Sequence, residues 1–435
     1  MDSLTQIILG AAVGEVAAGR KIGNRAMLWG AIAGTIPDLD VMIGSLFMNE
    51  INGLAFHRAI THSIFFAVVF SFLIAYYTNW LYSNGHHRKQ EYKVTATIFG
   101  GLFMLLVAGL FIFITGTFGG LWGYVLSSLV GSGILIYFSR RLFYGYLKED
   151  QEKIDIGYWS WYNLFFWSIF THPLLDCLTV YGTQLFAPFS NHRVALNNIS
   201  VADPAYTLPF LICLVSASLS ARNYHSESSN NIDKAFKMSI AGYAMRRNIN
   251  AAGIIITTLY IGWTFYNKSK VNTVMEHTLT EMNIDSERYM TGPTILNNIL
   301  WSATAETEKS FYTGLYSFYD DDKKFKLVEI PKNHHLIDPK PDDKVINTLA
   351  WFSKDYYAVL KRRDGRLQIN DMRYGTFRGE TTDENGYIFR FVIEKDSLGY
   401  YQLQSADGGP ERGNEKAIFS DLYARIKGDD ISSTR

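Results

Sequence analysis

Apolar stretches of about the length that crosses a bilayer recur through the first 266 residues, and they constrain the fold more than anything else in the chain. Candidate spans lie at 4–19, 26–47, 63–83, 94–115, 118–138, 158–180, 205–220 and 248–266. About 20 predominantly apolar residues are needed for one crossing. The first and seventh are short and suit re-entrant or tilted segments. The leading "MDSLTQ" carries an acid and no base, and no clear cleavage site follows it, so a signal peptide is not expected. The expected fold class is a polytopic, all-α membrane domain over residues 1–266, followed by a soluble α+β domain over 267–435.

Charge supports that division. Charged residues make up 19% of the chain, sparse before residue 266 and dense after it. Net charge is zero, which gives nucleic-acid binding no electrostatic support. The two cysteines, Cys177 and Cys213, both lie in apolar segments and form neither a CxxC site nor a disulfide framework.

Orientation follows from the connections. One alternating set carries fifteen Lys and Arg residues, from Arg20 through Lys153 to Arg247, whereas the other carries only Arg58 and Arg193. Basic loops face the cytoplasm. With eight spans, the N-terminus and everything after residue 266 are then expected outside.

That orientation brings the ionisable motifs to one side. "GTIPDLD" puts Asp38 and Asp40 in the outer half of the second span. "FHRAITHS" puts His57 and His62 at the outer start of the third, and "FTHPLLD" puts His172 and Asp176 in the outer half of the sixth. Ionisable groups at membrane depth are costly and mark functional positions. Asp38 and Asp40 diverge on a helix but point the same way from an extended segment; alternatively the motif is a capped turn. His57 and His62, five apart, do not share a helical face; read alone, they are interfacial histidines beside a snorkelling Arg58. His172 and Asp176 do share a face, and Pro173 predicts a break or kink between them. Paired glycines, Gly10/Gly14 and Gly30/Gly34, predict close helix packing.

Three imidazoles and three carboxylates suit a divalent metal. Zinc accepts both ligand types, and manganese or iron tolerate the oxygen-rich mixture. Six ligands with aspartates able to bridge have the capacity for two ions. A bound metal lowers the pKa of its water to about 7 and so supplies a nucleophile. Arg58 stands ready to steady an anionic group.

"MDSLTQIILGAAVGE", "GNRAMLWGAIAGTIPDLD", "HRAITHS" and "THPLLDCLTVYGTQLFAPFS" resemble the YdjM-like bacterial inner-membrane proteins. These are named LexA-binding, inner membrane-associated hydrolases, or membrane-bound metal-dependent hydrolases. The likeness covers about residues 1–200, and "GPTILNNILW" and "DMRYG" resemble the C-terminal portion of longer members. It implies Asp38, Asp40, His57, His62, His172 and Asp176 as metal residues. Many relatives begin with a Thr-His pair where this chain has Thr5 and Gln6. Gln6 is a poor ligand, but it can orient a water or a metal-bound group.

After Lys268 the pattern changes. "KSFYTGLYSFYD", "FKLVEI", "DYYAVLKRR", "RLQINDMRYGTF" and "YIFRFVIEKD" read as strands separated by turn signals, and "DDKVINTLAWFSK" as an amphipathic helix. Arg373 and Trp301 stand as candidates to line an entrance, against ordinary packing roles. The expected function is metal-dependent hydrolysis at the outer face of the bacterial inner membrane. Lipids surround that site, so its substrate is a lipid or lipid-linked ester or phosphoester. The rival is a partner-binding membrane protein whose metal is structural.

Overall fold

A computed structural model describes residues 1–148, 154, 156–226, 232–377, 383–408 and 415–429. Lys153, counted among the basic loop residues, lies outside them. The N-terminal region is helical, and a C-terminal domain of two antiparallel sheets follows. Three helical stretches among the described residues, Asn24–Phe47, Ile64–Ser83 and Gly242–Glu281, are long and apolar enough to cross a membrane.

The chain divides into two compact units, residues 72–163 in one and residues 1–71 with 164–435 in the other. In the larger unit, helix α1 (Ser3–Ile22) is capped by Asp2, whose carboxylate accepts from the Thr5 N–H. Gly23 ends it, and α2 (Asn24–Thr35) returns antiparallel. The glycine pairs lie at this crossing: a Cβ on Gly34 would stand 2.7 Å from the Gln6 carbonyl oxygen, and one on Gly30 would stand 2.9 Å from Gly14 Cα. Only glycine lets the two backbones approach this far. Pro37 follows the end of α2, and α3 (Leu39–Phe47) and α4 (Glu50–Phe56) complete the approach to a short 3-10 turn at Ile60–His62.

The smaller unit holds most of α5 (Ile64–Ser83), all of α6 (Gln90–Leu142) and the start of α7 (Tyr158–Asp176). Helical hydrogen bonding runs through the whole of α6, yet the segment doubles back. Leu142 stands 3.5 Å from a Cβ built on Gly100, and Ile112 stands 3.4 Å from one on Gly131. These pairings run antiparallel within α6. Tyr82 stacks on Trp161 at 5.0 Å between ring centres within this unit.

Of the break or kink expected at Pro173, the break is absent: α7 runs through it to Asp176. A proline this close to a helix end removes one backbone bond and leaves only the last turn to complete. Two helices then return, α8 (Pro204–Ser226) and α9 (Ile232–Glu281). Buried Glu15 of α1 pairs with Arg246 of α9, and Asn250 Nδ2 donates to the Ala12 carbonyl at 3.0 Å.

Helix α9 continues past the expected span, and its last turns become core. Val271, Met275 and Leu279 pack with Trp301, Ala303, Tyr316 and Phe325 of the first sheet. That sheet is a meander of β1 (Arg288–Pro293), β2 (Leu300–Glu306), β3 (Ser310–Ser317) and β4 (Lys326–Pro331). Helix α10 (Lys344–Ser353) leads into the second meander, β5 (Tyr357–Lys361), β6 (Leu367–Asp371), β7 (Phe389–Lys395) and β8 (Tyr401–Gly408), and α11 (Glu415–Ile426) follows. Ile346, Leu349 and Phe352 of α10 bury against Val359, Ile369 and Phe391, and Ile51 of α4 joins the same core. The loop that carries His57 is therefore anchored in the C-terminal domain.

Candidate metal centre

Pro37 separates Asp38 from α2 and places it just before α3, with Asp40 in the first turn. The two carboxylates diverge, and each takes a different edge of the same imidazole. His62 Nδ1 lies 3.3 Å from Asp40 Oδ2, and His62 Nε2 lies 3.5 Å from Asp38 Oδ1. Asp40 also accepts the Arg58 backbone N–H at 2.8 Å, the Thr61 hydroxyl at 3.1 Å, and a bond from His57 Nδ1 at 3.0 Å. Burial holds the His57 imidazole below its ordinary pKa, against the pull of Asp40. Arg58 has a left-handed backbone, φ 57°, clamped from both sides: its N–H on Asp40 and its carbonyl accepting from Gln184 N at 3.0 Å. A non-glycine residue in this region costs roughly 1 kcal/mol and persists only where its surroundings enforce it.

The tautomers follow from the partners. His172 Nδ1 lies 2.6 Å from the Gly34 carbonyl oxygen, which can only accept, so this nitrogen carries the proton. The Thr61 hydroxyl donates to Asp40, so it accepts from His62 Nδ1–H at 3.1 Å. In the neutral imidazoles both Nε2 atoms present lone pairs, and they face each other at 3.1 Å. Asp176 Oδ2 stands 3.4 Å from each of them, and Asp38 Oδ1 stands 3.4 Å from His172 Nε2. Two lone pairs and two carboxylates in so small a space repel one another unless a positive charge sits between them.

The donor geometry fits a metal ion. Donor atoms of Asp38, His62, His172 and Asp176 all lie within 4.8 Å of one another. Five of the six separations among them lie between 3.1 and 3.5 Å, a spacing at which all four could share one ion. Asp176 is the strongest marker. Its Oδ1 takes the Met1 amine, Arg58 Nη2 at 3.2 Å and Gln6 Nε2 at 3.1 Å, while buried Oδ2, facing the imidazoles, has no hydrogen-bond partner.

The six residues expected as ligands therefore do not form one shell. Four converge, Asp40 stands behind His62, and His57 stands behind Asp40. Ligating histidines usually have their second N–H held by an acceptor: here the Gly34 carbonyl takes His172 Nδ1–H, while the Thr61 hydroxyl takes His62 Nδ1–H with Asp40 3.3 Å away. Gln6 reaches the carbonyl of His172 at 3.3 Å as well as Asp176. Trp301 is fully buried in the first sheet and lines nothing. Arg373, by contrast, lines a cavity of about 650 Å³ that His57 and Arg58 also border.

Sequence reasoning passed over Thr61, Thr179, Tyr181 and Arg193. Thr179 accepts from Arg58 Nη1 at 3.1 Å, and Tyr181 lies under the guanidinium groups of Arg58 and Arg193, 5.0 and 4.5 Å from its ring centre. One signal was available for Arg193: with Arg58 it is the only base in connections otherwise free of positive charge.

No curated protein and no solved structure matches the chain. A family model described as YdjM inner membrane protein matches residues 1–271, which includes all the converging donors. With more than half of its length covered by that model, the chain belongs to the YdjM family of inner membrane proteins.

Proposed function

We propose that this protein is a membrane-bound, metal-dependent hydrolase whose ion, zinc or else manganese or iron, is held by Asp38, His62, His172 and Asp176. The observation that carries this reading is the convergence of two imidazole Nε2 atoms, 3.1 Å apart, with a buried Asp176 Oδ2 that lies 3.4 Å from each and has no hydrogen-bond partner. When bound, the ion supplies Lewis acidity and a water with a pKa near 7. The chain's own groups do the rest. Arg58 links the centre to the cavity, with one guanidinium nitrogen on Asp176 and its side chain in the cavity wall, where it offsets negative charge on a bound ester. His57, its Nδ1 held by Asp40, has Nε2 left to receive a proton. Gln6 positions Asp176. The bond hydrolysed is an ester or phosphoester of a lipid or lipid-linked molecule at the outer face, a side that the excess of Lys and Arg in the alternate connections favours.

A second reading has its own observation. Four protein donors converge, and a structural zinc would be held by four such donors, whereas a catalytic zinc would keep a position open. Asp38 is the least enclosed of the four and also accepts from the Ser3 hydroxyl at 3.2 Å, so it is the donor best able to yield a position. Metal analysis of the purified protein, with an ester and phosphodiester screen, separates the readings. The expected result is a bound transition metal, lost in His62→Ala together with hydrolysis. Full metal occupancy without turnover of any substrate in the panel favours the structural role.

A further inference from the structure

Three arginines are buried around one pair of aromatic rings. Arg58, Arg193 and Arg373 are each 4% exposed or less. Tyr181 and Phe352 meet with ring centres 5.2 Å apart. Arg58 and Arg193 lie over Tyr181, while Arg193 and Arg373 lie 5.2 and 4.8 Å from the centre of Phe352. Among the described residues, two carboxylates hold this group. Asp371 holds Arg373 through paired bonds of 3.0 and 2.6 Å, and Asp176, already committed to the metal centre, holds Arg58. Arg193 donates only to the carbonyls of Tyr181 and Gly182.

Each guanidinium retains a buried nitrogen without a partner: Nε of Arg58, Nη1 of Arg193 and Nη1 of Arg373. Burial, with the charges of Arg373 and Arg193 added, pushes the nearby Lys354 ammonium down to about 8. Buried cations in excess of their counter-charges are costly unless a ligand neutralises them. Arginine's fixed fork of donors matches the oxygens of phosphate in particular.

Arg58 and Arg373 both open onto the cavity of about 650 Å³, and the rest of its wall is mainly apolar, including Val180, Ile199, Pro293, Ile295 and Phe389. That volume lies within the usual range for a small-molecule site. A charged end beside the metal centre and an apolar body beyond it describe an amphiphile.

We propose that this cavity binds a phosphate-bearing lipid, its phosphate oxygens on Arg58 and Arg373 and its tail along the Val180, Ile199, Pro293 and Ile295 wall, so that the C-terminal domain is part of the substrate site. The assignment deepens the hydrolase reading by naming its substrate class, and it rests on that reading for everything except binding itself. Arg193 adds positive charge from behind Tyr181.

The test titrates dodecyl phosphate into the full chain in maltoside micelles, with dodecanol and inorganic phosphate as separate arms. Dodecyl phosphate should bind at least about tenfold more tightly than either, since a charge-assisted hydrogen bond contributes roughly 1.5 kcal/mol or more. Arg373→Gln combined with Asp371→Asn removes the cation without stranding its acid, and should weaken binding about tenfold while metal content stays at the wild-type level. Ile295→Glu, at a position 45% exposed, alters the apolar wall without disturbing a core, and should weaken binding too. Equal affinity for dodecanol or for inorganic phosphate overturns the proposal, as does unchanged dodecyl phosphate affinity in both variants. Binding without any hydrolysis removes the hydrolase reading and leaves this site standing. Hydrolysis of another ester with no dodecyl phosphate binding does the reverse.

Discussion

Asp40 decides which way His62 faces. Its two oxygens collect four donors, from His57, Arg58, Thr61 and His62, and the last of these keeps Nε2 aimed at Asp38 and Asp176. An asparagine retains the shape but has one accepting oxygen. Asp40→Asn should therefore keep the fold and weaken metal binding about 10- to 100-fold, the usual effect of losing a group that orients a ligand. Competition with a chromogenic chelator measures it, and unchanged affinity means that Asp40 orients nothing. Gln6→Leu should act differently, because the four donors remain and only the bonds to Asp176 Oδ1 and the His172 carbonyl are lost. Metal content should stay near wild type while turnover drops by about the same factor. If Gln6→Leu loses metal as completely as His62→Ala, the amide is itself a ligand. The identities of these residues are legible in the sequence because polar groups stand out in apolar surroundings. Their division into ligands and supports is not, because it depends on the chain's direction after Pro37 and on which nitrogen of each ring finds an acceptor.

The α1–α2 hairpin shows how an element positions a site. Its four glycines bring Gly34 close enough to the start of α1 that the Gly34 carbonyl reaches His172 while Gln6 reaches Asp176. A methyl on Gly34 meets the Gln6 carbonyl at 2.7 Å, inside any real Cβ contact, so the helices must part. Overpacking of this kind costs about 1–3 kcal/mol. Gly34→Ala should lower both thermal stability and metal retention. Gly44→Ala is the matched control: its Cβ meets Gly53 Cα at an ordinary 3.6 Å, and both properties should hold. Equal behaviour of the two variants in a thermal melt and a metal assay removes the hairpin from the site. The glycine spacing announces this contact directly. Elements with mixed patterns are harder to read. Strands β3 to β7 and α10 follow from alternation and turn chemistry, but β1 carries Gly292 and Pro293, β2 is rich in small residues, and β8 alternates with glutamine. Pro173 misleads for a local reason, since a proline one turn from a helix end breaks little.

Across the larger unit, the metal donors, the arginine cluster and the second sheet gather at one end of α1. Gln6 lies at that end and Arg20 at the other, about 21 Å away at the helical rise per residue. The His57 loop is tied to the C-terminal domain through Ile51, and Arg373 comes from that domain to border the same cavity as Arg58. Residues beyond 271, outside the family match, thus complete a wall that the matched region leaves open. Which end faces the cytoplasm is an expectation from the basic connections, fifteen bases in one set against Arg58 and Arg193 in the other, and those two are buried around Tyr181. Arg20→Cys and Lys323→Cys, both at exposed positions of this unit, should accordingly react with an impermeant maleimide from opposite sides. In intact spheroplasts Lys323→Cys should label, and Arg20→Cys should label only after the membrane is opened. Labelling of Arg20→Cys alone in intact spheroplasts inverts the orientation and puts the metal centre, its cavity and any lipid substrate at the cytoplasmic leaflet.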